Sequence, residues 1–137
     1  MYLDLLEDFE KIAFSRLAFK MIAFTGIDEH EEKLYYAALA EMGIGEPDLD
    51  EEVDIHVECE AFRSEDSRRI AMVELMLLAL ADGDLGEDEQ SLLDEIIGAF
   101  GFDSATLEQA WTWVYGWYQT FRTGKDFIKF GVLTAHA

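Results

Sequence analysis

The sequence predicts an all-α fold of six to seven helices, arranged as two similar three-helix halves related by a pseudo-twofold axis. Three observations lead to this fold class. Apolar residues recur at spacings of three and four along most of the chain, which places them on one face of a helix. The 137 residues include a single proline, so few helices are interrupted. The chain also resembles itself when residues 65–107 are laid over residues 7–49, which is typical of a duplicated unit.

Two helices are predicted at the start of the first half. The first runs from about Leu3 to Phe24, and the second follows Asp28 and ends before Gly43. Asp28 and Glu31 have the spacing of a capping box, and glycine favours the left-handed conformation that ends a helix. The predicted apolar stripes are Leu6, Phe9, Ala13, Leu17 and Met21 on the first helix, and Leu34, Tyr35, Ala38, Leu39 and Met42 on the second.

The segment after Gly43 allows two interpretations. Pro47 is suited to the first position of a third helix. Between residues 53 and 60, however, apolar residues alternate with polar ones, as they do in a strand. These residues are Val53, Ile55, Val57 and Cys59. Continued beyond the repeat, the same shift places this stretch within Ala110 to Tyr118, which is strongly helical in pattern, and this correspondence favours a helix.

Further helices are predicted in the second half. One follows Ser64, whose hydroxyl can cap it, and runs to about Ala81. The remaining ones span about Glu87 to Phe100, Ser104 to Arg122 and, after Thr123-Gly124, the short segment from Lys125 to Leu133.

The internal repeat lies within one predicted domain, residues 1–137. Its coinciding residues occupy predicted core, cap and helix-end positions, where a duplicated unit would retain them. They are the pairs Glu7/Glu65, Asp8/Asp66, Ile12/Ile70, Ala13/Ala71, Leu17/Leu75, Ala23/Ala81, Glu31/Glu89, Leu34/Leu92, Gly43/Gly101 and Leu49/Leu107.

Composition limits the function. Thirty acidic against ten basic residues give a net charge of −20, and half of the residues are hydrophobic. The hydrophobic content argues against disorder, and the negative charge argues against nucleic-acid binding. The lone cysteine fits a reducing compartment. The N-terminus is acidic, whereas a signal peptide begins with basic residues. The longest uncharged runs are too short to cross a bilayer. We expect a cytoplasmic protein with no membrane insertion.

The densest group of acids lies in residues 79–90, ALADGDLGEDEQ. An EF-hand loop starting at Asp82 would have Glu87 in place of its glycine and Leu93 in place of its final glutamate, so that motif is excluded. Asp82 at the end of one helix and Glu89 in the first turn of the next can still converge on a cation. The alternatives are an Asx turn at Asp82 and capping of its own helix by Glu89.

The pattern A-L-A-D-G-D-L-G-E-D-E, followed by L-L-x-x-I-I and a glycine, resembles the signature of the tellurite-resistance TerB-like family. The resemblance implies a small, all-helical cytoplasmic domain connected with tellurite or other stress resistance, with an acidic patch for a divalent metal ion. It implies Asp82 and Glu89 as first ligands and Asp84 as a further one. The first half has Thr25-Gly26 close to the position that corresponds to Asp82-Gly83, and Asp28 and Glu31 complete the candidate metal set.

The last long helix, LEQAWTWVYGWYQTF, carries the other candidate site. Its expected core face comprises Trp111, Val114, Tyr115, Tyr118 and Phe121. Trp113 and Trp117, four residues apart at the edge of that face, are either core or a surface for a protein partner or a homodimer.

These observations predict a non-enzymatic, acidic helical binding domain that holds a divalent cation and docks a partner during a tellurite or stress response. His56-x-x-Cys59 lacks the second pair of ligands that a structural zinc site needs, and no nucleophile-and-base spacing is recognisable. The alternative is an interaction scaffold or dimer that acts through the C-terminal aromatic helix and has no metal site.

Overall fold

A computed structural model describes residues 1–24, 29–47, 53–80 and 86–131. These residues form helices and connecting turns and contain no strand, which confirms the all-α prediction. After a short 3-10 turn at Leu3–Leu5, the helices are α1 (Asp8–Phe24), α2 (Glu29–Met42), α3 (Ile55–Glu60), α4 (Glu65–Ala79), α5 (Glu87–Phe100) and α6 (Ser104–Phe130).

The first helix begins five residues later than predicted. Leu6 is extended, with ψ 150°, and this interrupts the helical run that its apolar spacing had suggested. Beyond it, the backbone N–H of Glu7 donates to the side chain of Glu10 at 2.9 Å. A glutamate at the third position of a helix satisfies an otherwise unpaired N–H in this way, so α1 begins at Asp8.

Within residues 53–60, the stretch Ile55–Glu60 is helical, so the helix and not the strand is the correct interpretation. The Asp54 side chain accepts hydrogen bonds from the backbone N–H groups of His56 and Val57 and caps α3. Ile55 and Cys59 are buried, whereas Val57 between them is 59 % exposed, so burial follows the helical period. Pro47, expected to open a helix here, is not helical, and residues 48–52 lie outside the described ranges.

The core of residues 1–103 is built around α1, which packs against α2, α3, α4 and α5. Leu17 of α1 and Leu75 of α4 are fully buried, and Leu17 thus lies in the core, as its place on the predicted apolar stripe requires. Two predicted stripe residues, Phe9 and Leu34, are instead exposed. Phe9 lies under the guanidinium of Arg63, which is 5.4 Å from its ring centroid, so its face is partly covered by a cation.

Helices α2 and α5 are matched in several respects. Each has 14 residues, and each is followed by a glycine with positive φ: 69° at Gly43 and 85° at Gly101. This conformation suits glycine because it carries no Cβ, and it confirms both predicted helix ends. The pseudo-twofold relation between the two halves stays a prediction.

Residues 104–137 form a second compact unit, whose described part is α6 and Gly131. The helix continues through Thr123 and Gly124, where a break was predicted. The Thr123 hydroxyl donates to the backbone oxygens of Gln119 and Thr120, which satisfies it within the helix, and Gly131 then ends α6 with φ 72°. The prediction of one domain over residues 1–137 stays a prediction. Across the described ranges, no helix has the length and apolarity needed to cross a membrane.

Candidate functional site

The predicted metal ligands divide into two groups. Asp28, Asp82 and Asp84 lie outside the described residues. Glu31 and Glu89 are described, and each is the third residue of its helix, α2 and α5 respectively. The structure therefore locates two of the five proposed carboxylates, both at the start of a helix that follows an acid-containing connection.

Both of these carboxylates are withdrawn from solvent. Glu31 is 4 % exposed and Glu89 is 8 % exposed, whereas Glu87 and Asp88 in the same turn as Glu89 are exposed. Burying a carboxylate is costly unless nearby donors or positive charge compensate for lost hydration. The N-terminus of a helix supplies part of that compensation through its unpaired N–H groups and its dipole. Each glutamate lies close to these N–H groups because it is the third residue of its helix.

Helix α5 lacks the side-chain cap that helix α4 has. Its N-cap residue is Gly86, which has no side chain to accept a hydrogen bond. By contrast, α4 is capped by Ser64, which accepts from the backbone N–H of Ser67 at 3.0 Å, as predicted. Carboxylates in the first turn of α5 therefore face a helix end that lacks a side-chain cap, and negative charge is favourable there.

Within the described ranges, which include Glu31 and Glu89, no group of three or more histidine, cysteine, aspartate or glutamate side chains is arranged to hold a metal ion. His56 is exposed and Cys59 is buried. Burial raises the pKa of the Cys59 thiol from 9.0 to about 12, and the charge of Glu58 contributes further. Zinc binds the thiolate, so the raised pKa disfavours the form of this side chain that could act as a ligand.

Three further buried acids were not identified from the sequence. Glu10 caps α1, Glu58 pairs with Arg16 at 3.2 Å, and Glu74 accepts the backbone N–H of Tyr2 at 2.8 Å. For Glu10 the signal was present, since it is three residues after Glu7 at a helix start. Glu58 and Glu74 meet partners that are 42 and 72 positions away in the chain, so no local pattern marks them.

The candidate partner residues Trp113 and Trp117 lie on α6. Trp113 is 42 % exposed. Trp117 stacks on Phe121, with ring centroids 5.2 Å apart and an interplanar angle of 8°. Lys125 then lies over the other ring of this pair, with its Nζ 5.3 Å from the Phe121 centroid. Trp117, Phe121 and Lys125 therefore form a row along α6, with two stacked rings followed by a cation.

The fold and its acids define a class of protein: a small, acid-rich helical domain in which glutamates are buried at helix starts. Within that class, the family model for tellurite resistance protein TerB matches residues 24–112, more than half of the chain. The chain therefore belongs to the TerB family, which confirms the resemblance carried by ALADGDLGEDEQ. The match includes Glu31, Glu89 and all of α2 to α5. No curated protein and no solved structure matches the chain significantly.

Proposed function

We propose that this TerB-family domain is a non-enzymatic binding module that holds a divalent cation between its acid-rich helix starts and docks a partner in a tellurite or stress response. Glu31 and Glu89 supply ligands from α2 and α5, and Asp28, Asp82 and Asp84 supply the others. The observation that supports this proposal is the burial of both glutamates, 4 % and 8 % exposed, at the same position of matched helices.

The argument rests on the cost of burying charge. Two carboxylates withdrawn from water in a chain of net charge −20 gain from a positive ion in addition to the helix dipole. Carboxylate oxygens are the preferred ligands of Ca²⁺, Mg²⁺ and Mn²⁺. A hard cation of this kind is therefore expected, and the exposed acids around it give a negative surface that suits a basic partner.

Thermal unfolding with added metal tests the cation. We expect one of Ca²⁺, Mg²⁺ or Mn²⁺ to raise the Tm by mass action, since a ligand at one hundred times its Kd stabilises by about 2.7 kcal/mol. The double variant Asp82→Asn, Glu89→Gln removes the shift. The matched control Glu87→Gln changes an exposed charge of the same turn and retains it.

Sodium chloride at equal ionic strength measures the contribution of simple screening, which is large for so acidic a chain. If each divalent ion raises the Tm no more than sodium does, or if the double variant and Glu87→Gln respond alike, the cation site is refuted.

The exposed aromatic rings of α6 support a second candidate, a scaffold or homodimer that needs no metal. Trp113 and Phe121 are 42 % and 50 % exposed, and exposed aromatic clusters are typical of interaction surfaces. Sedimentation velocity over a hundredfold concentration range should then show association that Trp113→Ala with Trp117→Ala abolishes and Thr112→Ala retains. A single monomeric species at every concentration contradicts the dimer.

A further inference from the structure

A cavity beside α2 combines aromatic rings with carboxylates. It has a volume of about 250 Å³ and lies among α1, α2 and the segment that follows α2. Its walls include the rings of Phe19, Tyr35 and Tyr36 and the side chains of Glu32 and Glu46. None of the described residues that line it carries a positive charge, so the cavity is both aromatic and negative.

The three rings form a continuous aromatic wall. Phe19 and Tyr35 have centroids 5.8 Å apart at 60°, and Tyr35 and Tyr36 have centroids 5.6 Å apart at 63°. Tyr36 is 45 % exposed, so part of this wall is accessible to a ligand. Ring faces carry partial negative charge and attract ammonium and guanidinium groups.

Tyr35 provides the second, independent observation. Its side chain is 3 % exposed, and its hydroxyl has no hydrogen-bond partner among the described residues. A buried polar group without a partner is uncommon and costly. The hydroxyl of its neighbour Tyr36, by contrast, donates to Oε1 of Glu46 at 2.6 Å.

The charge state of the Tyr35 hydroxyl is well defined. Burial raises its pKa to about 12, and the negative charge of Glu46 contributes to the rise. The influence of Glu46 means that the hydroxyl lies within electrostatic range of a carboxylate that lines the same cavity. At neutral pH the hydroxyl is therefore protonated, with a lone pair available to a donor.

We propose that this cavity binds an organic cation, an ammonium or guanidinium group, between the aromatic wall and the Glu46 carboxylate, with the Tyr35 oxygen accepting a hydrogen bond. Glu32 adds negative charge at the rim. The volume is below the roughly 300–1,000 Å³ of pockets for drug-sized ligands, so it suits a single side chain or a small amine. This site shares no residue with the proposed divalent-cation site, and the proposal does not depend on that site.

Titrations followed by NMR, using methylguanidinium chloride and butylammonium chloride as probes, test the proposal. We expect saturable shifts of the Tyr35 and Tyr36 ring signals. Glu46→Gln retains an acceptor for the Tyr36 hydroxyl but loses the charge, and should weaken binding about tenfold, the effect of losing a charge-assisted hydrogen bond. Glu60→Gln, at an exposed position that does not line the cavity, removes the same charge and leaves binding unchanged.

Tyr35→Phe separates a ligand-binding role from a structural one. Because the hydroxyl has no partner among the described residues, its removal should leave the Tm unchanged or raise it, while binding of either probe weakens several-fold. Tyr115→Phe, on α6, is the matched control and changes neither. If Tyr35→Phe lowers the Tm, the hydroxyl serves the fold, and the proposal fails.

Further outcomes overturn the proposal. Uncharged 1-pentanol binding as tightly as butylammonium would indicate an apolar cavity without charge selectivity. Equal affinities of Glu46→Gln and Glu60→Gln would indicate diffuse attraction to an acidic surface. The peptide Gly-Arg-Gly identifies the source of the cation: tighter binding than methylguanidinium assigns the site to a protein side chain, and equal or weaker binding assigns it to a free amine. Gly-Gln-Gly, without the charge, should not bind.

Discussion

The thiol of Cys59 provides a quantitative test of the packing between α3 and α5. Its side chain is 5 % exposed, and Sγ donates a weak hydrogen bond to the backbone oxygen of Ile96 at 3.8 Å. Burial raises its pKa from 9.0 to about 12, with a further contribution from Glu58. At pH 8 we expect about one thiol in ten to be ionised in the unfolded chain and about one in ten thousand in the folded protein.

The thiolate is the reactive form, so modification by Ellman's reagent at pH 8 reports this difference. We expect native protein to react at least about a hundredfold more slowly than the urea-unfolded chain. A matched control is Val57→Cys in a Cys59→Ala background, because Val57 lies on the same helix and is 59 % exposed. A native Cys59 that reacts within about tenfold of this exposed thiol would refute the packing of α3.

The same pKa predicts how stability depends on pH. Between pH 9 and about 12 the folded thiol retains its proton and the unfolded thiol loses it, so the free energy of unfolding falls as pH rises. The contribution is complete below pH 9 and amounts to at most about 4 kcal/mol, from about 1.36 kcal/mol per pKa unit. Urea titrations of wild type and Cys59→Ala isolate it, because other groups cancel in the difference. A difference that stays constant from pH 8 to 11 contradicts the assigned pKa.

Two further predictions concern the core and the helix ends. Leu17→Ala and Leu75→Ala, both at fully buried positions, should each lower the free energy of unfolding by about 3–5 kcal/mol in urea titrations. Leu34→Ala, at a 44 % exposed position, should lower it by less than about 1 kcal/mol. Equal losses in all three variants would contradict the assignment of Leu17 and Leu75 to the core. Gly101→Ala should lower the Tm, because φ is 85° and no heavy atom lies within 4 Å of the added Cβ, so the cost of about 1 kcal/mol is backbone strain alone. Gly98→Ala, inside α5, should raise it, and opposite signs in calorimetry are the result to check.

Helix ends were predictable wherever the signal is local. The bounds of α5 agree with the prediction at both ends, because the acidic first turn and Gly101 act within a few residues of their own helix. The predicted start of α1 was wrong because Leu3 and Leu6 have helical spacing. In the structure Leu3 lies in a 3-10 turn and Leu6 is extended, and both side chains are nevertheless buried. The end of α6 was wrong because Thr123 satisfies its hydroxyl within the helix. Apolar spacing alone does not distinguish these cases.

The site was predictable only in part, for a physical reason. Glu31 and Glu89 were identified from their position in the chain, yet their burial arises from packing. Glu58 and Glu74 were missed because their partners, Arg16 and the backbone of Tyr2, are distant in sequence. The cavity beside Tyr35 was also missed: a helical stripe marks this residue as core, but a pattern of residue types does not report whether a buried hydroxyl has a partner.

The helix starts themselves offer the sharpest distinction between capping and cation binding. Glu10, Glu31 and Glu89 are each the third residue of a helix, and all are buried. Glu10 caps its helix through the backbone N–H of Glu7, so it serves as an internal reference for a capping glutamate. Glutamine also caps from this position, so Glu10→Gln and Glu89→Gln should lose similar, small amounts of stability in the absence of metal if capping is the shared role.

A bound cation should make the Glu10→Gln and Glu89→Gln variants differ in stability. With the metal that stabilises wild type, Glu10→Gln should gain the full increase in Tm, because its carboxylate is occupied by its own helix start. Glu89→Gln, and Glu31→Gln in the same way, should gain less, because a neutral amide is a weaker ligand for a hard cation. If all three variants gain the full increase, the buried glutamates act as caps alone, and the proposed cation site is refuted.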